Sequence, residues 1–119
     1  MMELTGKRVL LVEDEAILAM SAEDMLVHLG CVVLGPALSI PNALSLASTE
    51  SMDAALLDIN MGPGDSFSVA NTLIKRGVPF CFSTGYGRAG VPKSFGDIPV
   101  LPKPYTEASL SSILRTLFS

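Results

Sequence analysis

The sequence predicts an α/β fold: a five-stranded parallel sheet in the order 2-1-3-4-5, held between two layers of helix, with the fourth helix short or irregular. Three observations predict it. Short apolar runs alternate with stretches whose apolar residues recur at helical spacing, and the alternation repeats five times. Such alternation implies a parallel sheet covered on both faces. Polar residues then stand just past the ends of four of the runs, at Glu13-Asp14, Asp58, Thr84 and Lys103, the edge where open α/β sheets bind ligands.

The elements follow in order. Lys7 to Val12 is the first strand, ended by Glu13-Asp14-Glu15. Leu18, Ala22, Met25, Leu26 and Leu29 mark the buried face of the first helix, its acids suit the positive end of the helix dipole, and Gly30 stops it. Cys31 to Leu34 is the second strand, closed by Gly35-Pro36. Ser39 caps a second helix with Pro41 in its first turn and with Ile40, Ala43, Leu44 and Ala47 facing inward. The third strand is the apolar run beginning at Ala54 and ending abruptly at Asp58, followed by the turn residues Gly62-Pro63-Gly64. Ser66 caps a third helix that buries Val69, Ala70, Leu73 and Ile74 and ends at Gly77.

Val78 to Ser83 is the fourth strand. The segment from Thr84 to Gly96 holds four glycines and Pro92, which argues against a regular helix. Ile98 to Leu101 is the fifth strand, and Pro99 confines it to an edge. Pro102-Lys103-Pro104 is a stiff turn, and Thr106 caps a last helix with Leu110, Ile113, Leu114 and Leu117 on one face. Right-handed crossovers leave few ways to join these units, and the flavodoxin-like order fits five of them best. The 119 residues are read as a single domain, 1–119.

Composition removes several function classes. A net charge of −4 argues against direct nucleic-acid binding, which calls for a basic face. No apolar run reaches the length of a membrane span, and Met1 to Arg8 lacks a signal-peptide layout, so a cytoplasmic protein without membrane contact is expected. Cys31 and Cys81 each lie in an apolar run without a Cys-x-x-Cys spacing, as expected of buried, reduced thiols. His28, the single histidine, lies near a helix end and is expected at the surface or capping.

The chemistry is in the strand-end residues. An ionised carboxylate at the mouth of a buried strand needs a compensating charge. Three carboxylates brought together repel and push one pKa upward. A hard cation with oxygen ligands relieves that, and Mg²⁺ suits a few carboxylates plus waters. Glu13, Asp14, Asp58, such a metal and Lys103 together are electroneutral, and a site so balanced can take up a phosphoryl group. Asp58 is then the nucleophile, Thr84 and Lys103 contact phosphoryl oxygens, and the backbone carbonyl of Asn60 is placed to join the metal shell.

These residues carry a family resemblance. Leu11-Val12-Glu13-Asp14-Glu15, the strand ending in Asp58, Ser83-Thr84-Gly85 and Lys103-Pro104 together resemble the receiver domain of two-component response regulators, over essentially the whole chain. The resemblance implies a CheY-like fold and a phosphoprotein that accepts a phosphoryl group on Asp58 from the phosphohistidine of a sensor histidine kinase or phosphotransfer protein. It implies Mg²⁺ on Glu13, Asp14, Asp58 and the Asn60 carbonyl, Thr84 as a switch hydroxyl, Lys103 against the acyl phosphate, and a cis Lys103–Pro104 bond. It implies no enzyme activity beyond the domain's own phosphorylation and dephosphorylation, and an output through a protein surface.

Phe82-Ser83-Thr84-Gly85-Tyr86-Gly87 further resembles the Phe-Ala-Thr-Gly-hydrophobic-Tyr signature (FAT GUY) of an alphaproteobacterial receiver subclass, with Ser83 in place of alanine and Gly87 in place of tyrosine. Val100 stands where receivers usually carry an aromatic on the fifth strand. Tyr86 or Phe95 is the candidate to move in its place; the plainer expectation is that both pack against strands four and five.

Other readings are weaker. A phospho-sink or relay intermediate without its own effector uses the same site. A phosphatase working through an aspartyl phosphate calls for a second acid two residues past the nucleophile, where this chain has Asn60. A pseudo-receiver that never phosphorylates sits badly with the complete acid, threonine and lysine set. A nucleotide binder lacks a glycine-rich loop after the first strand.

Overall fold

The computed structural model describes residues 4–62 and 64–119. The readings made on Met1 to Glu3 and on Pro63 lie outside the described residues. Five strands, β1 (Arg8–Val12), β2 (Val32–Ala37), β3 (Ala54–Asp58), β4 (Phe80–Thr84) and β5 (Val100–Pro102), form one parallel sheet in the predicted order 2-1-3-4-5. Helices α1 (Ala16–His28) and α4 (Glu107–Phe118) cover one face, and α2 (Ile40–Thr49) and α3 (Phe67–Arg76) cover the other. Strand residues alternate between the two sides. Leu10, Leu57, Phe80 and Phe82 pack toward α2 and α3, while Val9, Leu11, Leu56 and Cys81 pack toward α1 and α4. Full burial of a side chain of this size contributes about 1.5–3 kcal/mol, so β1, β3 and β4 anchor the domain.

The predicted irregularity between β4 and β5 is present as two short 3₁₀ turns, Gly87–Gly90 and Lys93–Phe95. Phe95 and Tyr86 part company there. Phe95 packs against Phe82 and Phe67, with ring centroids 5.2 Å apart in each pair, whereas Tyr86 is 75% exposed. Cys31 and Cys81 are buried free thiols, as expected. His28 is at the surface, its Nδ1 2.8 Å from both carboxylate oxygens of Glu107, and so links the end of α1 to the start of α4. No described helix is long and apolar enough to cross a membrane.

Several local expectations need correction. On α1 the fully buried residues are Ala19, Ala22 and Leu26, with Met25 and Leu29 packed partly buried against the same core as expected, while Leu18 is 41% exposed. The first turn of α1 holds no acid, because Glu13-Asp14-Glu15 all precede it, and Glu13 Oε2 instead accepts the Glu15 N–H at 3.2 Å. β2 does not stop at Gly35-Pro36 but runs through it to Ala37, with a cis Gly35–Pro36 bond and a shift in register against β1. As an edge strand, β2 tolerates a proline that donates nothing to the ladder. A side chain at Gly35 would meet Ala37 N at 2.6 Å and Leu11 O at 3.0 Å, so glycine is required for this path. Ser66 makes no capping bond; Asp65 Oδ1 accepts the Phe67 N–H at 3.0 Å instead. Ile74 is half exposed, although Val69, Ala70, Leu73 and the left-handed Gly77 cap are as predicted.

Ser39 and Thr106 do cap their helices. Thr106 forms a reciprocal pair: its Oγ1 accepts the Ser109 N–H at 3.1 Å, and its own N–H donates to Ser109 Oγ at 3.0 Å. Thr106→Ala is expected to lower unfolding stability by about 1 kcal/mol in urea titration, with Thr106→Ser close to wild type. An unchanged midpoint in the alanine variant would mean that α4 is held by Leu110 and Leu114 alone.

Candidate functional site

Parallel strands joined by right-handed crossovers bring all their carboxyl ends to one rim, and the site is built there. Glu13 and Asp14 follow β1, and Asp58 closes β3. Glu13 and Asp58 are 4% and 5% exposed, and Asp14 is half-buried. One carboxylate oxygen from each of the three lies within 4.8 Å of the others. Lys103, from the end of β5, reaches across to them. Its Nζ is 2.8 Å from Glu13 Oε1 and 3.2 Å from Asp58 Oδ1. The sequence assigned these four residues to one site, and the fold brings them together.

The backbone holds the strand ends in place. Ser83 O accepts the Ile59 N–H at 3.1 Å, and Thr84 O accepts the Lys103 N–H at 2.9 Å. The Lys103–Pro104 bond is cis, as the resemblance implied. Thr84 is buried at the end of β4, where its Oγ1 accepts the Tyr86 N–H at 3.1 Å. Asn60 lies two residues past Asp58, exposed, in a small hairpin that pairs Asn60–Met61 with Gly64–Asp65.

Electrostatics follow from this packing. Burial, then the charge and hydrogen bond of Glu13, push the Asp58 carboxyl up from 3.8 to about 7, against a smaller opposing pull from Lys103. Burial alone would lower the Lys103 ammonium, but its contacts with Glu13 and Asp58 outweigh that and raise it. Burial, reinforced by Glu13, also raises the Tyr105 phenol. The cluster therefore carries more negative charge than Lys103 offsets. That surplus, on three hard oxygen donors, fits a divalent cation such as Mg²⁺.

Sequence reasoning missed the groove beside the cluster. A space of about 300 Å³ opens between α1 and the chain after β5, lined by Leu18, Ala22, Met25, Pro104 and Tyr105, with Lys103 at its edge. The sequence trace of it is the stripe of Leu18, Ala22 and Met25 at helical spacing, which lines the groove with Leu18 41% exposed.

The comparisons agree with the geometry. No family model matches the chain. Over 115 residues it is 31% identical to the phyllosphere-induced regulator PhyR of Methylorubrum extorquens, a match covering 89% of this chain and 41% of PhyR, so it spans less than half of that relative. The solution structure of SdrG from Sphingomonas melonis Fr1 is 35% identical and superposes with a TM-score of 0.83, covering 99% of this chain and all of SdrG. The receiver domain of a Pseudomonas aeruginosa sensor histidine kinase, solved with a magnesium ion coordinated in its active-site cleft, is 28% identical, with a TM-score of 0.82 over 95% of this chain and 98% of that one. An end-to-end match to such structures, on a sheet of this order with its acids and lysine gathered on one rim, places the chain in the family of two-component response regulator receiver domains.

Proposed function

We propose that Asp58 accepts a phosphoryl group from the phosphohistidine of a sensor histidine kinase or phosphotransfer protein, and that the adduct switches a protein-binding surface. The observation that carries this reading is one ammonium, Lys103 Nζ, shared between two buried carboxylates, Glu13 and Asp58. In the transfer an Asp58 carboxylate oxygen attacks phosphorus, the P–N bond to the donor imidazole breaks, and the imidazole leaves with the bonding pair. Lys103 is close enough to Asp58 to follow the incoming charge onto a phosphoryl oxygen. Thr84, whose hydroxyl hydrogen is not used in accepting the Tyr86 N–H, supplies a further donor.

Glu13, Asp14, Asp58 and the Asn60 carbonyl would hold Mg²⁺. When bound, the ion neutralises carboxylate repulsion and charge on the phosphoryl oxygens. The reaction modifies the protein itself, so the domain acts as a switch rather than as an enzyme on other substrates.

Incubation with Mg²⁺ and acetyl phosphate tests the reading. Intact-protein mass spectrometry is expected to find one added phosphoryl group on wild type and none on Asp58→Asn. An adduct of equal occupancy on Asp58→Asn would overturn the assignment.

A further inference from the structure

Ser83 stands directly opposite Asp58 in the parallel ladder between β3 and β4. It is 2% exposed, and its Oγ has no hydrogen-bond partner among the described residues. Strand alternation decides which way it faces. Leu56 and Cys81 both pack toward α1 and α4, so Asp58 and Ser83, each two residues further on, face that side as well. Leu101, opposite Ser83 on β5, belongs to the same cluster, and Lys103 follows two residues later. Since β4 lies between β3 and β5, the Lys103 side chain passes over β4 to reach Glu13 and Asp58, and Asp58 is the residue paired with Ser83.

A hydroxyl buried without a partner opposes folding, and alanine in its place would remove that cost. Here the orphan lies beside a site expected to receive an anion. We propose that Ser83 is a donor to the phosphoryl group carried by Asp58, adding to Lys103 and Thr84. The inference rests on the reading of Asp58 as phosphoryl acceptor. A hydroxyl with no acceptor in the free protein gains one when a phosphoryl oxygen arrives between Asp58 and Lys103. Ser66, the other buried hydroxyl without a partner among the described residues, starts α3, whose buried residues pack on the opposite face of the sheet from Leu56 and Cys81, and its N–H donates to Ile59 O at 3.1 Å, so it serves as the control.

The test is the affinity of beryllofluoride, a stable phosphoryl mimic, in the presence of Mg²⁺, measured alongside the thermal midpoint of the free protein. Ser83→Ala is expected to bind beryllofluoride about 3- to 10-fold more weakly while its free-state midpoint stays level or rises. Those opposite signs are something a purely structural role does not give. Ser83→Thr keeps the hydroxyl and is expected to restore affinity to within about 2-fold. Ser83→Cys fills the same volume with a weak donor and is expected to resemble alanine, which guards against an alanine variant that folds badly. Ser66→Ala is expected to leave affinity unchanged.

Wild-type affinity in Ser83→Ala, or a loss matched by Ser66→Ala, would overturn the role of Ser83 and leave Asp58 as acceptor intact. A wild-type protein that takes up neither beryllofluoride nor an acetyl phosphate adduct would overturn both.

Discussion

Asp58→Asn is expected to be more stable than the wild-type protein above about pH 7 and to lose that advantage on acidification to about pH 4. The folded carboxyl titrates near 7 and the unfolded one at 3.8, so between those values the native state holds the proton and the unfolded state has released it. The wild type therefore loses stability as pH rises through that window. Asparagine has no charge to bury and does not follow the same curve. A three-unit shift sets an upper bound near 4 kcal/mol, and solvent reaching the strand end reduces the difference to about 2 kcal/mol at neutral pH. Urea unfolding of both proteins across the range, without divalent cations, measures it. A gap that does not change with pH would mean that burial and Glu13 leave the Asp58 carboxyl unperturbed.

Mg²⁺ adds a second arm to that experiment. Under the proposed function the wild type gains stability with the ion, by about 2.7 kcal/mol at a concentration one hundred times its Kd. Asp58→Asn, short of one ligand, gains less, so Mg²⁺ closes or reverses the gap. Stability that is lowest with the site empty is what a binding site built from like charges should give.

The sequence exposed the fold wherever one signal had no competitor. Five apolar runs and four usable helical patterns led to the right sheet order, and Asp58 at the end of an all-apolar strand led to the site. It misled where two signals competed. Gly35-Pro36 carries a strong turn signal, but at a sheet edge the proline has no ladder bond to break, and β2 continues toward Glu13, whose N–H donates to Ala37 O at 3.0 Å. On α1, helical spacing pointed to Leu18, whereas the buried positions are Ala19 and Ala22, with Ile17 and Met20 in solvent and Leu18 at the edge of the groove. Serine and aspartate are about equally good N-cap types, and Asp65, one position before Ser66, supplies the bond. The partners of Lys103 were legible in kind but not in distance. Nothing local in Pro102-Lys103-Pro104 says that the chain lies close enough for one ammonium to touch two acids from other strands.

That shared contact gives the second large effect. Lys103→Met keeps much of the aliphatic stem and removes the charge from between Glu13 and Asp58, which are both buried. Removing one partner from a buried charge cluster leaves the others unpaired, and a loss of about 2–4 kcal/mol is expected above pH 7 in protein free of divalent cations. Protonation of the carboxyls relieves the repulsion, so the loss should shrink as pH falls. Lys103→Met combined with Asp58→Asn separates this effect from lost packing. With Asp58 already neutral, the lysine has one buried acid to serve rather than two, so its removal should cost clearly less than in the wild type. The two changes should then be non-additive by about 1–2 kcal/mol. Strict additivity in the cycle would mean that Lys103 stabilises the domain through its stem, and that its ammonium responds to Glu13 without regard to the charge on Asp58.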